Sequence, residues 1–250
     1  MLAQELNTMK STLQVVCHKG ANKQAPENTF AAARLCLEWG VDYVEIDVHT
    51  SADGVFYIFH GPYLQRTTNG SGWIGALTAA EIDRLDAGSW FSPAFAGERV
   101  PRLEEYLRWI KGRAKLFLDV KNADPEALAQ LVAQCGFADE SFFWSSDPDW
   151  MRRLHETAPH LALKVNVRDA AGAALAKQEL GARLVEVGPE QLSAELLAAC
   201  HALGLQVMVL YSGNDPVVFE RILASGADLI NTDYGDEFLA AASRFGALTS

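Results

Sequence analysis

Two histidines and three carboxylates in the first half of the chain stand where chemistry is usually run. His18 closes an apolar run at residues 13–18, Glu45 and Asp47 lie in another at 43–48, His60 ends a third at 55–60, and Asp119 and Lys121 close a fourth at 115–121. Residues two apart on a strand share a face, so Glu45 and Asp47 point the same way, about 6–7 Å apart along the chain. Three carboxylates meeting at one place repel, and raise one another's pKa, unless a cation lies among them. An all-oxygen set, with no Cys or His cluster of tetrahedral spacing, favours one divalent cation, Mg²⁺ or Ca²⁺ with Mn²⁺ admissible, over zinc. Two histidines beside such an ion suit proton transfer near neutral pH, one as base toward a nucleophile and one as acid toward a leaving oxygen. Taken singly, each residue has an ordinary reading: a hydrogen-bonded core histidine, a solvated strand face, a salt bridge at Asp119-x-Lys121. Convergence changes that, because so much buried charge offers no structural benefit that apolar filling would not supply with less desolvation.

The elements that must bring these residues together alternate regularly. Short apolar, β-branched or aromatic runs at 13–18, 43–48, 115–121, 141–146, 161–167, 184–188, 205–211 and 228–233 read as strands. Between them, segments such as 28–39, 125–134, 148–157, 170–180, 193–203 and 216–225 carry apolar residues at helical spacing, several with Asp or Pro near the first turn and Gly near the end. Eight such units predict a (β/α)₈ barrel, with residues 1–250 as a single domain. A doubly wound sheet would be expected to carry a Gly-rich loop after its first strand, and here that strand ends in His18-Lys19-Gly20-Ala21. In a barrel the strand ends converge at one mouth, which is where the candidate residues fall.

One stretch breaks the rhythm. Asp53-Gly54 predicts a hairpin that returns residues 55–60 antiparallel to 43–48. A two-residue loop sets His60 opposite Asp47 and a four-residue loop sets it opposite Glu45. Residues 61–100 follow as an inserted subdomain, with Trp73, Trp90, Phe91 and Phe95 read as its small core rather than as a lid.

Composition bounds the partners. With 32 acidic and 21 basic residues the net charge is −11, which argues against a general grip on nucleic acid or on an anionic membrane. A phosphate ligand must therefore meet a local positive centre. Glu5 and the lack of an apolar core of secretory length predict no signal peptide, and no stretch reaches the roughly 20 apolar residues of a membrane span. Cys17, Cys36, Cys135 and Cys200 have neither paired nor metal-ligand spacing and read as reduced thiols, so a cytoplasmic location is expected.

His18-Lys19-Gly20-Ala21, then Ala25-Pro26-Glu27-Asn28-Thr29, Val41 to Val48 with Glu45 and Asp47, Ala52-Asp53-Gly54 and His60 resemble the glycerophosphodiester phosphodiesterase family in order and spacing. The likeness runs on through Arg66-Thr67-Thr68-Asn69-Gly70-Ser71-Gly72, Val100 to Glu105 and Leu118-Asp119-Val120-Lys121, and more weakly to Asn231-Thr232-Asp233. It implies a barrel with an inserted subdomain that hydrolyses a small-molecule phosphodiester to an alcohol and a phosphomonoester. It implies His18 and His60 as acid and base, Glu45, Asp47 and Asp119 as metal ligands, and Lys19, Lys121 and Tyr211 as substrate contacts.

Four positions depart from the family pattern. Gly61 stands where an Asp usually follows the second histidine, which opens space and removes a charge. Asp119 replaces a Glu and is one methylene shorter. Tyr211 is read as standing for a Trp, and Lys19 for an Arg. Both histidines and the Glu45/Asp47 pair remain, so an active enzyme with shifted specificity is favoured, for example toward a sugar phosphodiester. The alternative is a barrel that binds a phosphodiester without turning it over.

Overall fold

The computed structural model describes residues 13–249. Eight strands run parallel: β1 (Gln14–Cys17), β2 (Tyr43–Thr50), β4 (Lys115–Val120), β5 (Ser141–Ser145), β6 (Ala162–Asn166), β7 (Leu184–Val187), β8 (Gln206–Tyr211) and β9 (Leu229–Thr232). Each pairs with the next, and β9 and β2 both pair with β1, so the sheet closes into the expected (β/α)₈ barrel. The crossover helices start where the sequence supplies a cap. Asp124, Asp147 and Asp215, each followed by Pro, accept hydrogen bonds from the first-turn amides of α4 (Pro125–Gln134), α5 (Pro148–Thr157) and α8 (Pro216–Ser225), each cap stabilising its helix by about 1 kcal/mol. Helix α1 (Phe30–Trp39) is capped by Thr29 and ends at Gly40, whose φ of 76° is left-handed backbone that glycine adopts without strain.

Alternation along each strand sends one set of side chains to the helices and the other into the barrel. The pairing register stacks the inward set in layers of four drawn from alternate strands. The lowest layer is Tyr43, Phe142, Leu184 and Leu229, and above it lie Val16, Phe117, Lys164 and Met208. Six of these apolar side chains form a buried cluster of their own, with Tyr43 packed against it. The next layer is Glu45, Trp144, Glu186 and Asn231, and above it come His18, Asp119, Asn166 and Leu210. The barrel is thus filled with hydrocarbon at one end and with ionisable groups at the other.

The hairpin differs from both predicted registers. Strand β3 (Phe56–Ile58) pairs Val48 with Ile58, His49 with Tyr57 and Thr50 with Phe56. Ser51 faces Val55 across a three-residue loop of Ala52, Asp53 and Gly54, with Gly54 at φ 85°. Ser51 Oγ donates to Asp53 and accepts from the Val55 amide, which favours the longer loop over a two-residue turn. His60 therefore lies opposite neither carboxylate. Pairing ends at Ile58, the Phe59 amide donates to the Asp47 carbonyl, and the chain bends at His60.

Residues 61–100 fold over a small core of their own, but not the expected one. Leu64, Ile74, Ala79, Ile82, Ala87 and Val100 are buried against Tyr57 and Phe59. Trp73 and Trp90 are 46% and 42% exposed. Phe91 stacks edge-on between Trp90 and Phe95, and Phe95 packs not on that core but against Ala25, Ala31 and Ala32. The aliphatic residues are spaced to pack beneath two short turns and helix α2 (Ala79–Ile82), leaving the bulkier rings outside. Among the described residues, no helix is long and apolar enough to cross a membrane.

Candidate active site

Strand β2 places Glu45 and Asp47 in the barrel mouth, and β4 adds Asp119 directly beside Asp47 in the register. One oxygen of each carboxylate lies within 4.8 Å of the others, so a single ion can be reached by all three. Glu45 and Asp47 are buried. Burial first, and then the charges of Asp47 and Asp119, push the Glu45 carboxyl well above the usual carboxylate range. Burial also lifts Asp119. Lys121 stands between the last two, its Nζ 3.0 Å from Asp47 Oδ1 and 2.7 Å from Asp119 Oδ1. These contacts are ion pairs without hydrogen-bond alignment, since neither oxygen has a hydrogen-bonded partner. Burial opposes the Lys121 charge, but Asp47 and Asp119 outweigh it and hold the ammonium above its ordinary value. Buried oxygens that lack aligned donors, on Asp47 and Asp119 of the cluster, suit a hard divalent cation.

The loop after β1 supplies the frame. Lys19 and Asn28 both sit in left-handed backbone, at φ 58° and 60°. The Lys19 amide donates to Glu45 Oε2 at 2.5 Å, and the Asn28 amide donates to the Lys19 carbonyl. Asn28 Nδ2 donates to Asp47 Oδ2 at 2.7 Å while its Oδ1 accepts from the Asp47 amide. The strained residues are thus those whose backbone or amide aims two of the carboxylates.

The two histidines are held from behind. His18 Nδ1 is 2.7 Å from Asp233 Oδ1, and Asp233 also accepts from Asn22 Nδ2 and pairs with Lys23. A carboxylate only accepts, so Nδ1 carries the proton. Burial works to raise the Asp233 pKa, but the bonds from His18, Asn22 and Lys23 dominate and hold it far below the carboxylate range. His60 Nδ1 lies 3.3 Å from Arg66 Nη2, and Arg66 forks onto Glu27. Burial lowers the His60 pKa, with Asp47 opposing and Lys19 and Lys121 adding to the fall. In both rings Nδ1 is the nitrogen the protein engages.

The structure therefore brings together seven of the eight candidate residues: His18, Lys19, Glu45, Asp47, His60, Asp119 and Lys121. Tyr211 is not among them. It lies one position past the inward-facing Leu210, so its ring turns to the helices, packs edge-on against Phe219 at 5.8 Å and accepts from the Asp215 amide. Leu210, 37% exposed, holds the mouth-facing place on that strand. Asp233, Asn28, Arg66 and Glu27 join the site as partners of the histidines and carboxylates, a role that their types and spacing in the sequence do not reveal. His49 went unremarked, although it continues the Glu45, Asp47 row, is buried, and approaches the His60 carbonyl with Nε2 at 3.3 Å. The i, i+2, i+4 spacing was the available signal for it.

A (β/α)₈ barrel with an acidic cluster, a lysine and two backed histidines at its mouth has the layout of a phosphoryl-group hydrolase. Residues 18–237 match the glycerophosphoryl diester phosphodiesterase family, and the chain belongs to that family of enzymes. It is 41% identical to a glycerophosphodiester phosphodiesterase from Agrobacterium tumefaciens str. C58, with a TM-score of 0.88 over 91% of this chain and 99% of that one. It is 29% identical to the Oleispira antarctica phosphodiesterase OLEI02445, solved with the product sn-glycerol-3-phosphate, with a TM-score of 0.83 over 92% and 96% of the two chains. A glycerophosphodiester phosphodiesterase of Bacillus subtilis (strain 168) is 28% identical over 248 residues, covering 89% of this chain and 84% of that protein.

Proposed function

We propose that the protein is a metal-dependent phosphodiesterase that cleaves a glycerophosphodiester, or a related sugar phosphodiester, to an alcohol and a phosphomonoester. One observation carries this reading: His18, His60, the Glu45/Asp47/Asp119 cluster and Lys121 meet at a single barrel mouth. The donor set fits Mg²⁺ or Ca²⁺, with Mn²⁺ admissible, and such an ion supplies Lewis-acid charge for the phosphoryl oxygens when bound. Lys121 and Lys19 provide the further positive charge that an acidic protein needs to hold a phosphodiester anion. His18 and His60 share the proton transfers, one toward the nucleophile and the other toward the leaving oxygen. Because Asp233 and Arg66 engage Nδ1 of the two rings, Nε2 is the atom each offers to the substrate.

Glycerol phosphate as a product is favoured by its presence in the Oleispira antarctica relative. A bulkier alcohol is favoured by Gly61, where an added Cβ would meet nothing nearer than Arg66 Nε at 3.8 Å. The free cysteines suit a reducing compartment, the cytoplasm. The test is phosphomonoester release from glycerophosphocholine and from a sugar phosphodiester, with and without Mg²⁺ or Ca²⁺, for wild type, His18→Ala and Glu45→Ala. Metal-dependent turnover lost in both variants is the expected result. Folded protein that binds a diester without cleaving it would favour the noncatalytic alternative.

A further inference from the structure

Beneath the carboxylate cluster the barrel buries a second ion pair that the proposed reaction does not use. Lys164, 2% exposed, rises from the second layer with Nζ 3.0 Å from Glu186 Oε1 and 2.7 Å from Asn166 Oδ1. Its ammonium lies 4.5 Å from the Trp144 ring centroid, and Lys121 lies 5.8 Å from the same ring. Trp144 and Glu186 share a layer with Glu45, and Trp144 is paired in register with Asp119. Burial lowers the Lys164 pKa, opposed first by Glu186 and then by Asp119 and Glu45.

A pair of this kind usually stabilises a core no better than hydrocarbon of the same volume. What it contributes here is charge at a fixed place. Four lumen carboxylates, Glu45, Asp47, Asp119 and Glu186, face two lumen ammoniums, Lys121 and Lys164.

Resting on the metal reading above, we infer that Lys164 and Glu186 are positioning residues that set the charge of the site from below, trading cation affinity against anion affinity. Lys164 opposes the cation and favours the phosphodiester anion, and Glu186 does the reverse.

The test is calorimetric titration of Ca²⁺ into wild type, K164M, E186Q and the double variant, followed by titration of glycerol 3-phosphate into each Ca²⁺-loaded protein. A unit charge buried within several ångströms of a divalent ion predicts roughly tenfold tighter Ca²⁺ binding in K164M and roughly tenfold weaker binding in E186Q. Glycerol 3-phosphate should show the opposite order, and the double variant should return close to wild type for both ligands. Should K164M fail to fold, E186Q and the double variant carry the same contrast. A role in packing alone would shift both single variants in one direction and leave the double variant no better, which would overturn the inference. So would four equal Ca²⁺ affinities. Failure of wild type to bind any divalent cation would instead overturn the metal reading itself.

Discussion

Replacing Asp233 by Asn removes the backing of His18 while leaving the Glu45, Asp47 and Asp119 cluster untouched. Asp233 accepts from His18 Nδ1 at 2.7 Å and from Asn22 Nδ2 at 2.6 Å, and pairs with Lys23 at 3.1 Å. With the Asp233 side chain 10% exposed and that of His18 25% exposed, solvent screens the contact little. A hydrogen bond to a charged group is worth about 1.5–3 kcal/mol, so kcat should fall roughly 10- to 150-fold. The Asn amide can also turn its NH₂ toward the ring and shift the proton to Nε2, which adds to the loss. Ca²⁺ affinity should stay within about twofold, because Glu45, Asp47 and Asp119 keep their partners. Stability gives an independent readout with a defined sign. The folded pKa of Asp233 is depressed, so its contribution is full above the unfolded value of about 3.9 and is lost as pH falls through the folded value. The wild type should therefore melt above D233N at pH 7, and the gap should close progressively below about pH 4. The assay is kcat at saturating Ca²⁺ together with melting curves at both pH values. A folded D233N with kcat within twofold of wild type refutes the argument that Asp233 sets the working state of His18.

Four further outcomes are expected. Glu45 is lifted by burial and by its neighbours, so without metal its contribution to stability falls as pH rises above about 4; E45Q should melt above wild type in EDTA at pH 8. Saturating Ca²⁺, at about 100 times Kd, should add about 2.7 kcal/mol to wild type, or roughly 5–10 °C, and little to E45Q. Gly20→Ala forces a Cβ to 2.8 Å from that of Ala32 at φ 75°, and should cost about 2–4 kcal/mol in denaturant unfolding while also reducing turnover, since Lys19 beside it aims Glu45. Ile82→Ala, in the small core of the insertion, should cost about 2–5 kcal/mol by the same measurement, whereas truncating the exposed Trp90 should cost far less.

The parts of this protein that local rules govern were legible in the sequence. Strand limits agree within two residues for the eight barrel strands, because alternating runs bounded by Gly, Asp and Pro state their own ends. Helices α4, α5 and α8 begin and end as read, since Asp-Pro both caps and starts them. What needed a count of one residue went astray. The hairpin has three loop residues where two or four were weighed, because the Ser51 hydroxyl closes the longer turn. Tyr211 was given a mouth position that strand alternation assigns to Leu210. What needed partners distant in sequence was invisible: Asp233 lies 215 positions from His18, and Lys164 meets Glu186 only after β6 and β7 pair. The bulk of Trp73 and Trp90 suggested a core, while smaller aliphatic residues had the spacing to fill it.

The two histidines hang from different supports, and that has an outcome for how the protein fails. His18 directly follows a barrel strand paired on both sides, and its amide donates to the Thr232 carbonyl, whereas His60 lies past the end of a three-residue strand at the edge of an insertion with its own small core. A segment with so few buried contacts opens at a lower free energy than the barrel. When it opens, His60 and Arg66 leave together, while Glu45, Asp47 and Asp119 remain on β2 and β4. Heat or mild denaturant should therefore silence turnover in a barrel whose carboxylate cluster is still in place. The loss should be reversible, because the scaffold that rebuilds the site has never come apart.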